Sequence, residues 1–259
     1  MRVQEELSIF YDDQATKYAQ TREKYRSEAH LFLDEILSSP QKHLHILEFG
    51  CGSGRLLQQL TQIKDKKISY VGVDLSKKLL TIAKKQVKPS NKNLLCTFVC
   101  DDILNYIGSC KQESFDFVIG VASFQHMPSK KDRYYLLKNS YRVLVYEGKL
   151  IMSNWSLSQW FLRKYSKEML RCLRYNALHR WRQQRNDLQL PWKTQGKTFF
   201  RFYHMFTKKE LIRLTRLSGF ILLRAVYIDR QGKPTSDWKI SRNTFIVGQK
   251  SIFSSWERE

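Results

Sequence analysis

The sequence predicts an α/β protein with a doubly wound, mostly parallel, seven-stranded sheet and a basic, aromatic-rich insertion after the fifth strand. Three observations support this fold class. Short β-rich runs alternate with helical patterns along most of the chain, a glycine-rich loop follows the first run, and two β-like runs close the chain as an antiparallel pair. This order indicates one large domain with an insertion.

The first five β-rich runs define the parallel part of the sheet. They are HILEF, ISYVGVD, LLCTFVC, FDFVIGVA and KLIMSNW. Helical patterns lie between or after them, in RLLQQLTQ, SKKLLTIAKKQV and SKKDRYYLLKNSYRVL. Ser76 and Ser129 are predicted N-caps, because a serine oxygen can accept a hydrogen bond from an unpaired N–H of the first helical turn. We assign residues 41–154 to this core and residues 1–40 to a helical region that covers the site.

The C-terminal part completes the same sheet. A capping box at Thr207-Lys-Lys-Glu210 predicts a helix that starts at Thr207 and stops near Gly219. The runs FILLRAVYID and NTFIVGQK then form the closing pair, so residues 207–259 finish the core. Residues 155–206 do not follow the alternation and are interpreted as an insertion. Within it, the apolar residues of LPWKTQGKTFFRFYHMF fit neither a helix nor a strand cleanly.

The composition restricts the classes of protein to consider. The chain has 45 Lys+Arg against 24 Asp+Glu, a net charge of +21, which concentrates polyanions near its surface. Five scattered cysteines without a CxxC pair indicate reduced thiols rather than disulfides or a zinc cluster; they are Cys51, Cys96, Cys100, Cys110 and Cys172. No apolar run is long enough to cross a bilayer and no secretory signal is present, so we expect no membrane association and a cytoplasmic location.

The glycine-rich loop is the first candidate binding element. HILEFGCGSGRLL is a strand that enters Gly50-Cys51-Gly52-Ser53-Gly54 and then a helix, which places backbone N–H groups near a ligand. A dinucleotide fingerprint would require a small residue at position 55. Arg55 stands there instead, which argues against NAD or FAD.

Acidic residues follow the next two strands. Asp74 ends the second strand, where its carboxylate can accept hydrogen bonds from both hydroxyls of a ribose. Asp101 and Asp102 end the third strand. Ligands of open α/β sheets bind outside the carboxyl ends of the strands, and all these acids lie at that edge.

Together these motifs resemble those of the class I S-adenosylmethionine-dependent methyltransferases. The matching residues are Glu48-Phe-Gly-Cys-Gly-Ser-Gly54, Asp74, Asp101 with Asp102, and SFDFVIGVASFQHM on the fourth strand. The resemblance implies a Rossmann-like methyltransferase fold, S-adenosyl-L-methionine as cofactor, S-adenosyl-L-homocysteine as product, and no metal. It implies cofactor contacts for Glu48, Gly50, Cys51, Gly52, Gly54, Asp74, Leu75, Asp101, Asp102, Ile103 and Ser123.

The insertion concentrates the positive charge. Between Ser156 and Tyr203 there are eleven Lys or Arg residues against Glu168 and Asp187, a net charge of +9. Cations interleaved with Trp160, Trp181 and Trp192 suit a phosphate backbone and unstacked bases. An alternative interpretation is that FLRKYSKEMLRCLRYNALHRW is an amphipathic helix whose aromatic residues pack on the core and whose arginines are solvated.

A closer resemblance concerns the acceptor side. LPWKTQGKTFFRFYHMFTKKEL, FYDDQATKYAQTREKY and VASFQHMPSKKDRYYLLKNSYRVL resemble segments of the eukaryotic-type tRNA wobble-uridine methyltransferases, which esterify a carboxymethyl group at uridine C5. The resemblance implies tRNA as partner and catalytic or positioning roles for Arg201, His126, Tyr203 and His204. It implies substrate contacts for Tyr11, Thr21, Arg22, Arg133, Trp155, Trp192 and Arg201.

The sequence departs from that family at three places. Gln125-His126 replaces a His-His pair, Asp132-Arg133 replaces a basic pair, and Tyr146-Glu147-Gly148 replaces a Pro-Gly-Gly turn. These departures leave the exact substrate open. A methyltransferase for a small carboxylic acid or a carrier-protein-bound acyl group is a second reading, and a non-catalytic tRNA-binding module a third. A small activating partner protein, as some relatives require, also stays open.

Overall fold

The computed structural model describes residues 3–23, 28–87, 91–178, 186–194 and 197–251 of the 259-residue chain. The strands in chain order are β1 (His43–Phe49), β2 (Lys67–Asp74), β3 (Leu94–Cys100), β4 (Phe115–Val121), β5 (Leu144–Trp155), β6 (Asp187–Thr194), β7 (Lys197–His204), β8 (Ile221–Ile228), β9 (Pro234–Thr235) and β10 (Asn243–Gln249). The helices are α1 (Val3–Asp13), α2 (Ala15–Glu23), α3 (Ala29–Leu37), α4 (Arg55–Leu60), α5 (Lys77–Lys84), α6 (Ile103–Ser109), α7 (Lys130–Val143), α8 (Gln159–Lys164), α9 (Ser166–Leu178) and α10 (Lys208–Leu217).

Eight strands form the main sheet, in the order β3-β2-β1-β4-β5-β10-β8-β9. Strands β1 to β5 are parallel, whereas β10 pairs antiparallel with β5 and β8. The predicted doubly wound sheet with its antiparallel pair is therefore confirmed. It has eight strands rather than seven, because Pro234 and Thr235 in the connection after β8 pair back with Ile228 and Tyr227. The strand order reverses between β1 and β4, which opens a crevice at their carboxyl ends.

The predicted helix starts are confirmed. Ser76 accepts a hydrogen bond from the N–H of Leu79, and Ser129 caps α7 in the same way. Thr207 caps α10 by accepting from the N–H of Glu210. The capping box is only half formed, because the Glu210 carboxylate accepts a hydrogen bond from His204 Nε2 at 2.9 Å.

The core lies on both faces of the sheet. Neighbouring residues on one strand enter different clusters, since side chains alternate across a strand: Ile46 faces α3 and α4, whereas Leu47 faces α6 and α7. Both residues are fully buried, and each contributes about 1.5–3 kcal/mol to the free energy of folding. This two-sided packing fixes the carboxyl edge of the sheet, where the loops of the site begin.

The insertion consists of α8, α9 and a separate antiparallel hairpin of β6 and β7, with Asp187 opposite His204 and Thr194 opposite Lys197. The segment LPWKTQGKTFFRFYHMF, whose apolar pattern fits neither a helix nor a strand cleanly, thus contributes to both strands of this hairpin. The strand pattern is obscured because Phe202 and Tyr203 are both buried although consecutive strand residues point to opposite faces.

A third apolar cluster joins α8 and α9 to the hairpin. It contains Phe161 and Cys172 from the helices with Leu188, Leu190 and Tyr203 from the strands. The exposed cations of α8 and α9 are Arg163, Lys164, Lys167, Arg171 and Arg174. These facts agree with the amphipathic-helix interpretation of this segment. Four residues on which the nucleic-acid interpretation relied lie outside the described residues; they are Arg180, Trp181, Arg182 and Arg185.

The composition predicted reduced cysteines and no membrane-spanning segment. All five cysteines are free thiols. None of the helices described is both long and apolar enough to cross a membrane.

Candidate active site

The loop after β1 has the geometry of a ligand cradle. Gly50, Gly52 and Gly54 have positive φ angles of 63°, 54° and 80°, which glycine adopts without a steric penalty. A Cβ on Gly50 would lie 2.5 Å from the Cβ of Ser123, whereas a Cβ on Gly52 would meet no atom within 4 Å. A ligand can therefore approach the backbone at Gly52 directly.

Asp74, at the end of β2, holds this loop in place. One carboxylate oxygen accepts from the N–H of Gly52 at 2.8 Å, and the other accepts from the N–H of Ser76 at 2.9 Å. Burial raises the pKa of Asp74 from 3.8 to about 6, although these backbone hydrogen bonds oppose the shift. Each oxygen of a carboxylate can accept a further hydrogen bond, so Asp74 can still bind the hydroxyls of a ribose. These residues fit a cofactor that contains a ribose.

The loop and Asp74 open into a cleft with an empty volume of about 750 Å³, which we call the cofactor cleft. It is lined by eight of the predicted cofactor residues and by two predicted acceptor residues: Gly50, Gly52, Asp74, Leu75, Asp101, Asp102, Ile103, Ser123, Tyr11 and His126. The structure thus brings most of the predicted cofactor site together at the carboxyl edge of β1, β2 and β4.

Asp101 and Asp102 also organise this edge. Asp101 accepts from the N–H of Asp102 at 2.7 Å, and Asp102 caps α6 by accepting from the N–H of Leu104 at 2.9 Å. Burial is the largest cause of a raised pKa at Asp102. Both carboxylates line the cleft while they fix the loop after β3.

Three predicted cofactor residues do not line the cleft. Gly54 is the N-cap of α4, and Cys51 is buried beneath the loop. Glu48 is 2% exposed and accepts a hydrogen bond from the hydroxyl of Tyr70 at 2.6 Å. Burial raises the pKa of Glu48 from 4.5 to about 8, so the carboxyl group is largely protonated at neutral pH. These residues support the loop from behind.

Sequence reasoning missed the individual residues that cover the cleft. Gln4 and Leu7 of α1 and Tyr18 of α2 line it. Helix α1 is attached to the site by Asp12, whose carboxylate accepts from the Ser76 hydroxyl at 2.6 Å and from the N–H of Lys78 at 3.0 Å. The sequence gives only a weak signal for this arrangement. It predicts a helical N-terminal region but does not indicate which residues of the core that region contacts.

A strained residue at the end of β4 was also missed. Ala122 lines the cleft with a φ of 52°, a conformation that L residues rarely adopt. Its N–H donates to the carbonyl of Ser153 at 2.9 Å, which holds the strained turn in place. Such strain clusters at functional sites, but no feature of the sequence announces it.

On the acceptor side, Arg201 occupies a cage of aromatic rings. Its guanidinium carbon lies 4.8 Å from the ring centre of Trp192, 5.1 Å from Phe10 and 5.2 Å from Tyr203. Arg201 is only 4% exposed, and its Nε and Nη1 atoms have no hydrogen-bond partner among the described residues. A buried guanidinium with free donors is costly unless an anion or a polar group completes it.

His126 lies at the border between the cofactor cleft and the acceptor region. Its Nδ1 lies 2.9 Å from the carbonyl oxygen of Phe202, and its Nε2 lies 3.2 Å from the hydroxyl of Tyr11. A carbonyl can only accept, so Nδ1 carries the proton, and in the neutral ring Nε2 then accepts from Tyr11. Tyr203 packs against His126 and stacks on Trp155 with ring centres 5.0 Å apart.

Two pockets continue from the cofactor cleft. The first, which we call the bridging pocket, shares Tyr18 and His126 with the cleft and adds Trp155, Tyr203 and Arg242. The second, which we call the aromatic chamber, shares Trp155 and Arg242 with the bridging pocket. Its lining includes Lys17, Thr21, Trp160, Lys164, Glu168, Trp192, Lys193 and Arg201. A connected path of lining residues therefore links the glycine loop to Arg201.

Two of the other predicted acceptor residues, Arg133 and His204, do not line these pockets. Arg133 is buried, donates to the carbonyls of Met127 and Pro128, and lies 3.6 Å from Asp187. His204 bonds Asp187 at 2.6 Å and Glu210 at 2.9 Å, so both ring nitrogens are occupied by carboxylates. These side chains anchor the hairpin to the core. The side chain of Arg22 lies outside the described residues.

Comparison with known proteins agrees with this geometry. A family model described as a methyltransferase domain matches residues 46–148, which include the second half of β1, the glycine loop and all of β2 to β4. A malonyl-[acyl-carrier protein] O-methyltransferase of Bacillus cereus is 30% identical over 146 residues, or 56% of this chain and 48% of that protein. The chain thus spans about half the length of that relative.

Two further relatives extend the similarity. A candidate methyltransferase of Encephalitozoon cuniculi is 26% identical over 215 residues, 83% of this chain and 86% of that protein. A tRNA (carboxymethyluridine(34)-5-O)-methyltransferase of Xenopus tropicalis is 26% identical over 157 residues, 61% of this chain and 22% of that protein.

Solved structures share the fold. A SAM-dependent methyltransferase of Methanosarcina mazei has a TM-score of 0.64 at 23% identity and covers 85% of this chain and 98% of its own. The complex between the Haloferax volcanii Trm112 methyltransferase activator and its candidate methyltransferase gives a TM-score of 0.62 at 14% identity, with 97% and 99% coverage. The matched methyltransferase domain, the shared fold and the glycine loop beside Asp74 together support an S-adenosylmethionine-dependent methyltransferase, in agreement with the class I resemblance of the sequence.

Proposed function

We propose that the protein methylates the carboxylate of a C5-carboxymethyl-type uridine at the wobble position of tRNA. The observation that carries the proposal is the buried, incompletely bonded guanidinium of Arg201 in a chamber connected to the cofactor cleft. A planar guanidinium can hold a carboxylate through two parallel hydrogen bonds. Similarity to a tRNA carboxymethyluridine methyltransferase supports the same acceptor.

The surroundings of Arg201 suit a nucleotide. The chamber presents the rings of Trp155, Trp160 and Trp192 with the cations Lys17 and Lys193. Aromatic faces stack on unpaired bases, and cations neutralise the adjacent phosphates. A base that enters the chamber would therefore bring its C5 substituent towards Arg201 and the bridging pocket.

The residues perform positioning rather than proton transfer. A carboxylate is already ionised at neutral pH, and the sulfonium of S-adenosylmethionine supplies an electrophilic methyl group when the cofactor is bound. Arg201 holds both carboxylate oxygens in its planar fork, and the remaining lone pair of one oxygen is free to attack the methyl group. His126 and Tyr11, fixed to each other, exclude water and orient the attacking oxygen at the border between chamber and cleft.

A second candidate function rests on a specific similarity. The Bacillus cereus relative is named as a malonyl-[acyl-carrier protein] O-methyltransferase, and its acceptor is also a carboxylate. An acidic carrier protein would also be attracted to a chain with a net charge of +21. The aromatic lining of the chamber favours a base over an acyl chain. A non-catalytic tRNA-binding role gains no support, since the cofactor cleft is well formed.

An activating partner protein is part of the proposal. The Haloferax volcanii neighbour forms a complex with the Trm112 methyltransferase activator. In this chain β3 is an outer strand of the sheet, and its Leu95 is 71% exposed. An open strand edge beside an exposed leucine is suited to pairing with a strand of another protein.

The test of the proposed function is mass spectrometry of tRNA nucleosides from cells with and without the protein. Loss of the protein should remove the methyl ester of 5-carboxymethyluridine and leave the free acid in its place. Unchanged nucleosides, together with methylation of a malonyl carrier protein in vitro, would replace the first candidate by the second.

A further inference from the structure

Three cations surround Trp160, a residue that lines the aromatic chamber together with Lys164 and Arg242. The ring centre lies 4.9 Å from Lys164 Nζ, 5.3 Å from the guanidinium carbon of Arg242 and 5.6 Å from that of Arg230. We call these four residues the Trp160 cluster. An aromatic ring has two faces, so at least two of the three positive charges share one face.

Three cations on one ring repel one another, and few of the described acids line the pockets beside them: Glu168 lines the aromatic chamber, and Glu28 and Asp229 line the bridging pocket that Arg242 also lines. Among the described residues neither Lys164 nor Arg230 forms an ion pair with a carboxylate, and Glu168 is the one acid that lines the chamber. Attraction to the ring offsets only part of the repulsion, since an exposed cation–π contact is worth about 0.5–1 kcal/mol. An anion bound between the cations would offset the remaining repulsion.

The ring itself is available to a ligand. Trp160 is 37% exposed, although it lies on α8 next to the fully packed Phe161. The helix start is fixed by Ser158, whose hydroxyl accepts from the N–H of Phe161. The Trp160 side chain is therefore held at the mouth of the chamber rather than in the core.

We propose that the Trp160 cluster is a subsite for a nucleotide next to the methylated one: the ring stacks on its base, and Lys164, Arg230 and Arg242 bind its phosphate. The inference rests on the proposed function, because it takes RNA as the polymer that enters the chamber. A ring surrounded by cations matches the alternation of bases and phosphates in a single strand. Trp160 and Arg201 line the same chamber, so one strand can contact both.

The test uses a fluorescently labelled anticodon stem-loop RNA, with binding measured by anisotropy over a series of salt concentrations. Trp160→Ala should weaken binding at least about tenfold, because a stacked base contributes on that scale, and Trp160→Phe should retain most of the affinity. Arg230→Ala should reduce the slope of log affinity against log salt by about 0.7. Lys233→Ala is the matched control, an exposed cation in the same connection between β8 and β10, and should leave the slope unchanged. Melting temperature and S-adenosylmethionine binding serve to confirm that each variant is folded.

The outcomes separate the subsite from the proposed function. If the wild type methylates tRNA but Trp160→Ala binds the RNA as tightly as the wild type, the subsite is wrong and the function stands. If the wild type binds the RNA with the expected Trp160 dependence but methylates no tRNA, the subsite stands and the function fails. Binding only to a phosphopantetheine carrier protein would overturn both.

Discussion

The cofactor cleft and the aromatic chamber are built in different ways. The cleft is formed mainly by residues at or just after the ends of β1, β2, β3 and β4, and α1 and α2 cover it. The chamber is formed by long side chains from α2, β5, α8, β6, β7 and the segment before β10. The cleft is therefore specified by a local pattern, whereas the chamber depends on the packing of distant segments. Loss of a chamber residue should change substrate recognition and leave cofactor binding intact.

The largest expected effect is at Arg201. Arg201→Ala should reduce single-turnover methyl transfer by roughly 30-fold to several thousand-fold, because an unpaired carboxylate in a buried site loses about 2–5 kcal/mol. Total tRNA affinity should fall little, since other cations contact the phosphates. Arg201→Lys should restore only part of the methyl-transfer rate, because an ammonium group lacks the planar fork of a guanidinium.

Arg171→Ala provides a matched control for that experiment. Arg171 is an exposed cation of the insertion, 4.8 Å from the ring centre of Phe200. Its loss should leave single-turnover methyl transfer near the wild-type rate. Equal losses of binding and turnover in Arg201→Ala would make Arg201 a phosphate contact rather than a carboxylate ligand.

Glu48 should make the stability of the cofactor half depend on pH. Its pKa is about 8 in the folded protein against 4.5 when unfolded, so the folded state holds the extra proton between these values. The free energy of unfolding should therefore fall as pH rises from about 4.5 to 8. The loss attributable to Glu48 by pH 7 is on the order of 3 kcal/mol, from 1.36 kcal/mol per pKa unit.

Glu48→Gln isolates this contribution, because the amide oxygen can still accept from the Tyr70 hydroxyl. Urea unfolding of wild type and variant between pH 5 and 8 should give stability curves that diverge as pH rises, with the variant more stable at pH 8. Parallel curves would mean that Glu48 is ionised in the folded protein at neutral pH.

Substitution of Asp74 tests the cofactor cleft. Asp74→Asn preserves the shape of the side chain but removes its charge and half of its accepting capacity. S-adenosylmethionine affinity should fall roughly 10- to 150-fold in calorimetry, since a hydrogen bond to a charged group contributes about 1.5–3 kcal/mol. Asp65→Asn, an exposed carboxylate before β2, is the matched control. An unchanged affinity in Asp74→Asn would remove Asp74 from the cofactor site.

Substitutions of the two histidines of the acceptor region should have opposite effects on stability and on methyl transfer. His204→Gln should lower the free energy of unfolding by about 1–3 kcal/mol, because Asp187 and Glu210 lose their shared partner, with the methyl-transfer rate of the folded enzyme retained. His126→Gln should show the reverse, a slower transfer with little loss of stability. A slower transfer in folded His204→Gln would return His204 to the acceptor site.

The sequence predicts the cofactor half well because its signals are local. Three N-caps, seven strands of the sheet and eight cleft-lining residues were predicted from motifs in which the residues are neighbours along the chain. The two-residue strand β9 has too few residues to produce a pattern.

The acceptor half was harder to predict for physical reasons. The hairpin β6–β7 is buried on both faces at the end that holds Asp187, Leu188 and the residues from Arg201 to His204, which removes the alternation that reveals a strand. His204 and Arg133 looked like ligand-binding groups because sequence cannot distinguish a buried charge network from a binding site. Asp187, which bonds both of them, lies 17 residues from His204 and gave no signal of its own.

Single-turnover methylation tests the central claim most directly. One tRNA should carry 5-carboxymethyluridine at the wobble position, and a matched tRNA should carry unmodified uridine there. We expect similar binding of both, with methyl transfer only to the tRNA that carries the carboxylate and loss of that transfer in Arg201→Ala. Equal transfer to both tRNAs would contradict the assignment of a carboxylate acceptor to the aromatic chamber.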